Sequence, residues 1–136
     1  MQSAIVDTDP DTLWSKVGSF GSVGEWHPML ESVEIRGEGS AATRVALGKG
    51  GGGQVERLRL MCKERRLYHY TVERSSMPVR DYMAEFRVEA ITGRASRVSW
   101  SAQFELGPGG DDRTVALVRQ FLHEGVENIK RNYSNP

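Results

Sequence analysis

The sequence predicts an α+β fold in which a curved antiparallel sheet packs against one long C-terminal helix. Apolar and polar residues alternate with a period of two along much of residues 29–106, which is typical of strands with a single buried face. After residue 110 the period becomes that of a helix. One helical stripe then contains Val118, Phe121, Leu122, Gly125, Val126 and Ile129. Packing this stripe against the sheet buries both apolar surfaces.

The N-terminal residues predict a short strand followed by two short helices. The strand is Ser3 to Val6. Asp9 followed by Pro10 is typical of a helix cap and the first helical position, and Gly18 ends that helix. The next residues, SFGSVGEWHP, contain too much glycine for a regular helix and predict a broken second helical piece.

Glycine and turn residues divide the middle of the chain into about six further strands. The predicted strands are Met29–Arg36, Thr43–Leu47, Gln54–Lys63, Leu67–Glu73, Tyr82–Glu89 and Arg97–Leu106. The long helix follows, capped by Asp111 or Asp112.

Length and charge favour one soluble domain that spans residues 1–136. A chain of 136 residues can bury a sizeable core, and it contains no internal repeat and no long linker. Its 18 basic and 18 acidic residues cancel. Nucleic acid and anionic lipid are bound through clustered basic residues, which the sequence lacks. We therefore expect no nucleic acid partner and no membrane insertion.

Cysteine and histidine usage argues against a metal site. Cys62 is the single cysteine, which excludes an intrachain disulfide and a thiolate metal cluster. His27, His69 and His123 lie on separate predicted elements without the spacing of metal ligands. We expect no metal and no cofactor. The N-terminus turns acidic early and has no long apolar run, so we expect neither a signal peptide nor a spanning helix, and a cytoplasmic location.

The glycine-rich stretch ALGKGGGGQVERL, residues 46–58, raises the question of a phosphate-binding loop. Such a loop connects a strand to a helix and places its lysine after the glycines. Here Lys49 precedes most of the glycines and the residues after them predict a strand, so no helix N-terminus faces a phosphate. Two alternatives remain, a floppy hairpin tip and a mobile lid beside a cavity. The surrounding sequence favours the lid.

Four motifs carry a resemblance to a known family. They are DPDTLWSKVGSFGSVGEWHP, QVERL, MPVRDYMAEFRV and VSWSAQF. Over about residues 6–130 the chain resembles the polyketide cyclase/dehydrase and lipid-transport branch of the START-like (SRPBCC, birch-pollen-allergen-like) superfamily. The resemblance implies a helix-grip fold, in which a seven-stranded antiparallel sheet wraps a long C-terminal helix and leaves an internal cavity. Members bind or carry hydrophobic small molecules, and some are cyclases or aromatases.

A more distant similarity to the plant abscisic-acid receptors implies where a pocket lies. VERL resembles their pocket motif and places Glu56 on the cavity wall. The first lid then consists of the glycines from Gly48 to Gly52, namely Gly48, Gly50, Gly51 and Gly52. The second lid contains Pro78, Arg80 and Asp81.

The same similarity implies three further pocket residues. The chain departs from the receptors at two of these positions and in the first lid, where glycines replace an ordered sequence. RDY places Tyr82 in the pocket, His27 stands where the receptors have a lysine, and Trp100 where they have a glutamate. A hormone-receptor role is therefore not implied. A ligand more apolar than a hormone acid, or one that stacks on Trp100, Tyr70 and Tyr82, fits these residues better.

Two titratable residues have alternative interpretations. His27 is a general base, a hydrogen-bond partner of the ligand, or a helix-end residue tied to a carbonyl. If Glu56 faces inward with Leu58 and Leu60, its carboxylate needs a partner or a proton. Otherwise Glu56 lies at the rim and faces water. Arg57 and Arg59 take the opposite face, solvated or paired with Glu85.

These observations predict a protein that binds a hydrophobic small molecule in a cavity beneath two hairpin lids. The first alternative is a polyketide cyclase or dehydratase that uses His27 or Glu56 as acid or base. The second alternative is a ligand-gated protein-interaction module whose closed lids bind a partner. The sequence is also compatible with a homodimer.

Overall fold

The elements follow one another along the chain in the predicted order. The computed structural model describes residues 1–135, and for Ser40 the backbone only. The strands are β1 (Gln2–Val6), β2 (Leu30–Arg36), β3 (Thr43–Gly48), β4 (Gly53–Cys62), β5 (Leu67–Ser75), β6 (Val79–Ala90) and β7 (Ser96–Leu106). The helices are α1 (Pro10–Val17), α2 (Val23–Trp26) and α3 (Asp112–Tyr133), with a short 3-10 helix at Gly39–Ala41.

The strands form one seven-stranded antiparallel sheet in the order β1-β7-β6-β5-β4-β3-β2. Neighbouring strands after β2 are also neighbours in sequence, so each is joined to the next by a hairpin, and β1 closes the sheet beside β7. Helix α3 packs on β1 and β7. The predicted α+β helix-grip architecture, a curved sheet around the C-terminal helix, is confirmed.

Local capping explains where the helices begin. The side chain of Asp9 accepts a hydrogen bond from the Thr12 amide (3.0 Å), with Pro10 at the first helical position. Asp111 does the same for α3 through the Arg113 amide (3.0 Å). The predicted broken helical piece is the four-residue helix α2. None of the described helices combines the length and the apolar character needed to cross a lipid bilayer.

Helix α3 meets the sheet through the predicted stripe, in which Gly125 allows a close approach. A Cβ atom at Gly125 would lie 2.7 Å from the ring of Trp100 and 3.0 Å from the ring of His27. Trp100 in turn packs edge-on against Phe86 and Trp26. Close packing therefore explains the glycine, although glycine is unfavourable inside a helix.

The residues predicted to face inward along β4 are wrong beyond the middle of the strand. Glu56 and Leu58 face the interior as predicted, but Leu60 is 45% exposed. The register of β4 against β5 shifts between Leu58 and Leu60, because an irregularity inserts one unpaired residue and turns the following side chains to the other face.

Of the two alternatives for the outward arginines, solvation or pairing with Glu85, the structure does not show the pairing with Glu85. Arg57 forms its ion pair with Glu73, and Nε of Arg59 donates to the hydroxyl of Thr71 (2.9 Å). The carboxylate of Glu85 instead contacts His69, whose Nε2 lies 2.7 Å away. His69 lies on the outer face of the sheet.

Candidate functional site

A cavity of about 290 Å³ lies between the inner face of the sheet and α3. Its apolar lining residues are Val23, Met29, Leu30, Ala46, Met77, Trp100, Leu117, Val118 and Phe121. The others are Arg44, Gly48, Gly50, Gly52, Gly53, Gln54, Glu56, Ser76 and Tyr82. The volume is at the small end of the range for small-molecule sites, and the mostly apolar lining with a few polar groups is typical of them.

The β3–β4 hairpin places two opposite charges at the polar end of this cavity. Arg44 and Glu56 are direct partners across the hairpin. The side chain of Arg44 points inward together with Ala46 and alternates with the outward Val45 and Leu47, although the latter two are the larger apolar residues of β3. The inward face of β3 is therefore opposite to the one that hydrophobicity alone indicates.

Arg44 and Glu56 form a buried ion pair supported by further hydrogen bonds. Nε of Arg44 donates to Oε1 of Glu56 over 2.6 Å, and Nε2 of Gln54 donates to Oε2 over 2.8 Å. Nη1 of Arg44 donates to the carbonyl of Phe20 (2.8 Å) and to the hydroxyl of Tyr68 (3.2 Å). Both carboxylate oxygens are thus occupied, so Glu56 is a partnered acid rather than a free one.

Burial and charge set the protonation of this cluster. Burial has the largest single effect and lowers the pKa of Arg44, but the Glu56 carboxylate and the hydroxyls of Tyr68 and Tyr70 together outweigh it, so that the net pKa lies above its usual value. The guanidinium group lies over the rings of Phe20 (4.1 Å) and Tyr70 (4.7 Å), which also favour a cation. Burial, and then the charge of Glu56, raises the pKa of Tyr82, so its phenol is neutral.

Tyr82 presents a free polar group to the cavity. It is 4% exposed, and its ring stacks on Phe104 at 5.3 Å. Among the residues that the structure describes, no partner forms a hydrogen bond with the Tyr82 hydroxyl or with Nη2 of Arg44. Because both residues line the cavity, these two groups are available to a bound molecule.

Trp100 and Tyr70 differ in their relation to the cavity. The Trp100 ring lines it, and Nε1 of Trp100 donates to the hydroxyl of Tyr70 over 3.1 Å. Tyr70 is 1% exposed and lies behind this wall, outside the lining set. The structure therefore brings Glu56, Tyr82 and Trp100 together around one cavity, with Tyr70 as a supporting residue.

His27 lies outside the lining set, and both of its ring nitrogens are engaged by backbone groups. Nε2 lies 2.7 Å from the carbonyl of Phe121, and the amide of Met29 donates to Nδ1 over 3.1 Å. Burial lowers the pKa of His27 to about 4, despite the Phe121 carbonyl, which raises it. This geometry corresponds to the third alternative, a helix-end residue tied to a carbonyl.

The predicted first lid is the turn between β3 and β4. Gly48, Gly50 and Gly52 line the cavity, whereas Gly51 adopts φ +94°, a conformation that favours glycine, and does not line it. The amide of Gly48 donates to the carbonyl of Gly52 over 2.7 Å and closes the turn.

The predicted second lid is partly strand. Ser76 and Met77 are the residues of the β5–β6 turn that reach the cavity. Pro78 lies beside them, its carbonyl accepting from the Gly107 amide (2.8 Å). Arg80 and Asp81 belong to β6; Arg80 pairs with Glu105 at 3.2 Å on the exposed side. Asp81 has φ +52°, next to a register shift.

The two turns are linked to each other and to the ion pair. Oγ of Ser76 accepts from the Gly53 amide (3.0 Å). Oγ of Ser75 donates to Oε1 of Gln54 (2.9 Å) and accepts from the Met77 amide (3.0 Å). Within residues 1–135, no three His, Cys, Asp or Glu side chains are arranged to hold a metal ion.

The chain matches one known protein family along almost its whole length. The model of the family described as polyketide cyclase/dehydrase and lipid transport matches residues 1–134. The chain belongs to this family. The predicted superfamily is thereby confirmed, and with it a ligand-binding protein of the SRPBCC type. No curated protein matches the chain significantly.

Solved structures with this family's fold are numerous but distant in sequence. The protein XoxI from Bacillus cereus is 22% identical, with a TM-score of 0.89, over 97% of this chain and 92% of that one. An aromatase/cyclase, ZhuI from Streptomyces, is 16% identical, with a TM-score of 0.84 over 97% and 90%. Norcoclaurine synthase from Thalictrum flavum is 17% identical, with a TM-score of 0.70 over 96% and 82%. At these identities the likeness establishes the fold alone.

Several residues that line the cavity of this polyketide cyclase/dehydrase family member were not predicted from the sequence. Arg44 is the most important of them, followed by Gln54, Ser76 and Met77. A signal for Arg44 exists: in a hairpin whose turn is centred on Gly50, the residue opposite Glu56 is Arg44. An inward carboxylate needs such a partner.

Proposed function

We propose that this protein binds an uncharged, largely apolar small molecule in the 290 Å³ cavity. One observation carries the proposal, the ion pair between Arg44 and Glu56 at the polar end of an otherwise apolar lining. The family relationship supports a hydrophobic ligand. The proposal adds the charge of that ligand and the groups that recognise it.

The charges of the cavity lining favour a neutral ligand. Arg44 and Glu56 are the only charged side chains among the described residues of the lining, and they neutralise each other at 2.6 Å. Because Glu56 already neutralises Arg44, an anionic ligand would gain a counter-ion only by displacing Glu56 from Arg44, and a cationic ligand only by displacing Arg44 from Glu56. Either exchange leaves a buried charge without a partner, which is strongly unfavourable.

Recognition of the ligand involves one acceptor group and one ring. The Tyr82 hydroxyl and Nη2 of Arg44 are free donors, so a ketone or phenol oxygen placed between them satisfies both. The Trp100 ring offers an aromatic surface on the same wall. A compact molecule with a fused ring system and one oxygen fits this combination.

The lids form part of the same proposal. The Gly48–Gly53 turn and residues 76–81 border the cavity from two sides and are joined by the Gly53–Ser76 hydrogen bond. Glycine gives the first turn high conformational freedom when the cavity is empty. Ordering it on binding costs entropy, so we expect a moderate affinity.

A catalytic function is the second candidate, because Glu56 and Tyr82 line one cavity and because two of the similar folds belong to an aromatase/cyclase and a synthase. For His27, both ring nitrogens are engaged elsewhere. Both oxygens of Glu56 already accept hydrogen bonds. Proton transfer by Glu56 therefore needs Gln54 to move away first, whereas binding needs no rearrangement.

Two fluorescent probes with the same ring system test the proposal. Prodan is a neutral naphthyl ketone, and the corresponding dimethylaminonaphthoate carries a carboxylate in place of the ketone. We expect prodan to bind with a blue-shifted emission, and the naphthoate to bind at least ~10-fold more weakly. Tyr82→Phe should weaken prodan binding about 5-fold, whereas Tyr133→Phe, at the distant end of α3, should leave it unchanged. Equal binding of the two probes contradicts the proposal.

A further inference from the structure

His27 occupies a junction between three parts of the cavity wall. It ends α2, its Nε2 bonds to the Phe121 carbonyl of α3 (2.7 Å), and its Nδ1 accepts from the amide of Met29 (3.1 Å). Both Phe121 and Met29 line the cavity, whereas His27 itself is 3% exposed and stands behind them. Its ring is therefore placed to fix two wall residues relative to each other.

Met29 extends this connection to the glycine turn. Its amide is held by His27, and its carbonyl accepts from the amide of Lys49 over 3.0 Å. Lys49 lies between Gly48 and Gly50, two of the glycines that line the cavity. The amide and the carbonyl belong to the same residue. If Met29 loses its hydrogen bond to His27 and reorients, its carbonyl, which accepts from the Lys49 amide, therefore moves as well.

We propose that His27 is a positioning residue for the glycine turn, which it holds through the backbone of Met29 and couples to helix α3. This inference rests on the proposed function, since the turn matters only if the cavity receives a ligand. It assigns His27 no contact with the ligand. The residue acts through Met29 and Lys49.

The chemistry of imidazole explains why histidine suits this position. A carbonyl only accepts and an amide only donates, so the ring needs a proton on Nε2 and a lone pair on Nδ1. The neutral ring provides both, in agreement with the lowered pKa of His27. The ring also stacks on Phe121 with centroids 3.9 Å apart and fits against Gly125, where a Cβ atom would be 3.0 Å away.

Two amide substitutions separate the two bonds. In His27→Asn the short side chain can still accept from the amide two residues ahead, as in an Asx turn, but cannot reach Phe121. In His27→Gln the longer side chain can reach the Phe121 carbonyl with its NH₂ group and leaves the Met29 amide without its acceptor. The substitution His123→Gln at an exposed site on α3 is the matched control.

Amide hydrogen exchange of Lys49 in the ligand-free protein is the primary measurement. We expect exchange about 5- to 10-fold faster in His27→Gln, the effect of losing one hydrogen bond. His27→Asn and His123→Gln should keep the wild-type rate at Lys49, even where His27→Asn lowers the melting temperature. An unchanged rate in His27→Gln, or equal rates in the two His27 variants, overturns the inference.

Prodan dissociation provides a second measurement, and its first variant leaves His27 intact. Lys49→Pro removes the amide that Met29 holds, at an exposed turn position. It should accelerate prodan release, and combining it with His27→Gln should add little, because both changes break one connection. Additive effects overturn the inference. If prodan fails to bind the wild-type protein, the proposed function fails, whereas Lys49 exchange still decides the role of His27.

Discussion

Nε of Arg44 and Oε1 of Glu56 lie 2.6 Å apart, with 1% and 3% of the two residues exposed. Removing two charges from water is unfavourable, and their attraction compensates for it only when the remaining donors and acceptors are also satisfied. Phe20, Tyr68 and Gln54 satisfy most of these groups here, and Nη2 of Arg44 is left for a ligand. The cavity therefore has a polar end that is rigid and electrically neutral.

Glu56→Ala should be severely destabilising. It leaves the guanidinium group of Arg44 buried without its counter-ion, and we expect the free energy of unfolding to fall by about 3–5 kcal/mol. Urea unfolding followed by circular dichroism measures it. Glu105→Ala breaks the exposed pair with Arg80 and serves as the control, with an expected loss below about 1 kcal/mol. Equal losses in the two variants would show that the buried pair has no special importance.

Gly125→Ala should destabilise the protein although alanine is the better helix former. The added methyl group would lie 2.7 Å from Trp100 and 3.0 Å from His27, both fixed by packing, so we expect a loss of roughly 1–3 kcal/mol. Thermal unfolding measures this loss. Gly93→Ala is the control, because no atom lies within 4 Å of its Cβ position. A more stable Gly125→Ala protein would mean that the helix and sheet can move apart freely.

The stability of the protein should depend on pH through His27. The unfolded chain takes up a proton near pH 6.5, but the folded protein does so only near pH 4, so protons favour the unfolded state in between. The contribution of the neutral His27 ring to the free energy of unfolding is complete above pH 6.5 and decreases as the pH falls. At pH 4 the free energy of unfolding is lower by roughly 3 kcal/mol. Unfolding in urea across this range should show a shallower pH dependence for His27→Asn. Parallel curves for the two proteins contradict the prediction.

Two glycines of the first turn should respond to alanine in opposite ways. At Gly50 a Cβ atom meets nothing within 4 Å and φ is not positive, so Gly50→Ala should restrict the empty turn and strengthen prodan binding about 2-fold. At Gly51 the φ of +94° strains any other residue, so Gly51→Ala should weaken binding. Titration of prodan compares the variants. If both raise the affinity, the described turn is not the bound conformation.

The patterns that predicted the fold correctly are local ones. Strict alternation identified β5 to β7, and Asp9 with Pro10 identified the start of α1. Leu60 was misplaced because a single-residue irregularity in β4 reverses the face of every residue after it, and no turn residue marks it.

The site was predictable only where family motifs or strand alternation reached it. Glu56 and Tyr82, which these patterns singled out, line the cavity. Arg44 was missed because its neighbours Val45 and Leu47 are apolar and so suggest the opposite inward face. His27 illustrates a different limit: one of its two partners, Phe121, is 94 residues away and contributes a carbonyl group, which no side-chain pattern reveals.

Trp100 lines the cavity, whereas Trp14 and Trp26 do not. Its indole Nε1 also donates a hydrogen bond to the hydroxyl of Tyr70, which fixes the orientation of the ring. A molecule that enters the cavity replaces the medium on one side of this indole and should change its emission. The intrinsic fluorescence of Trp100 should therefore report whether the cavity is occupied, so that unlabelled compounds can be screened directly.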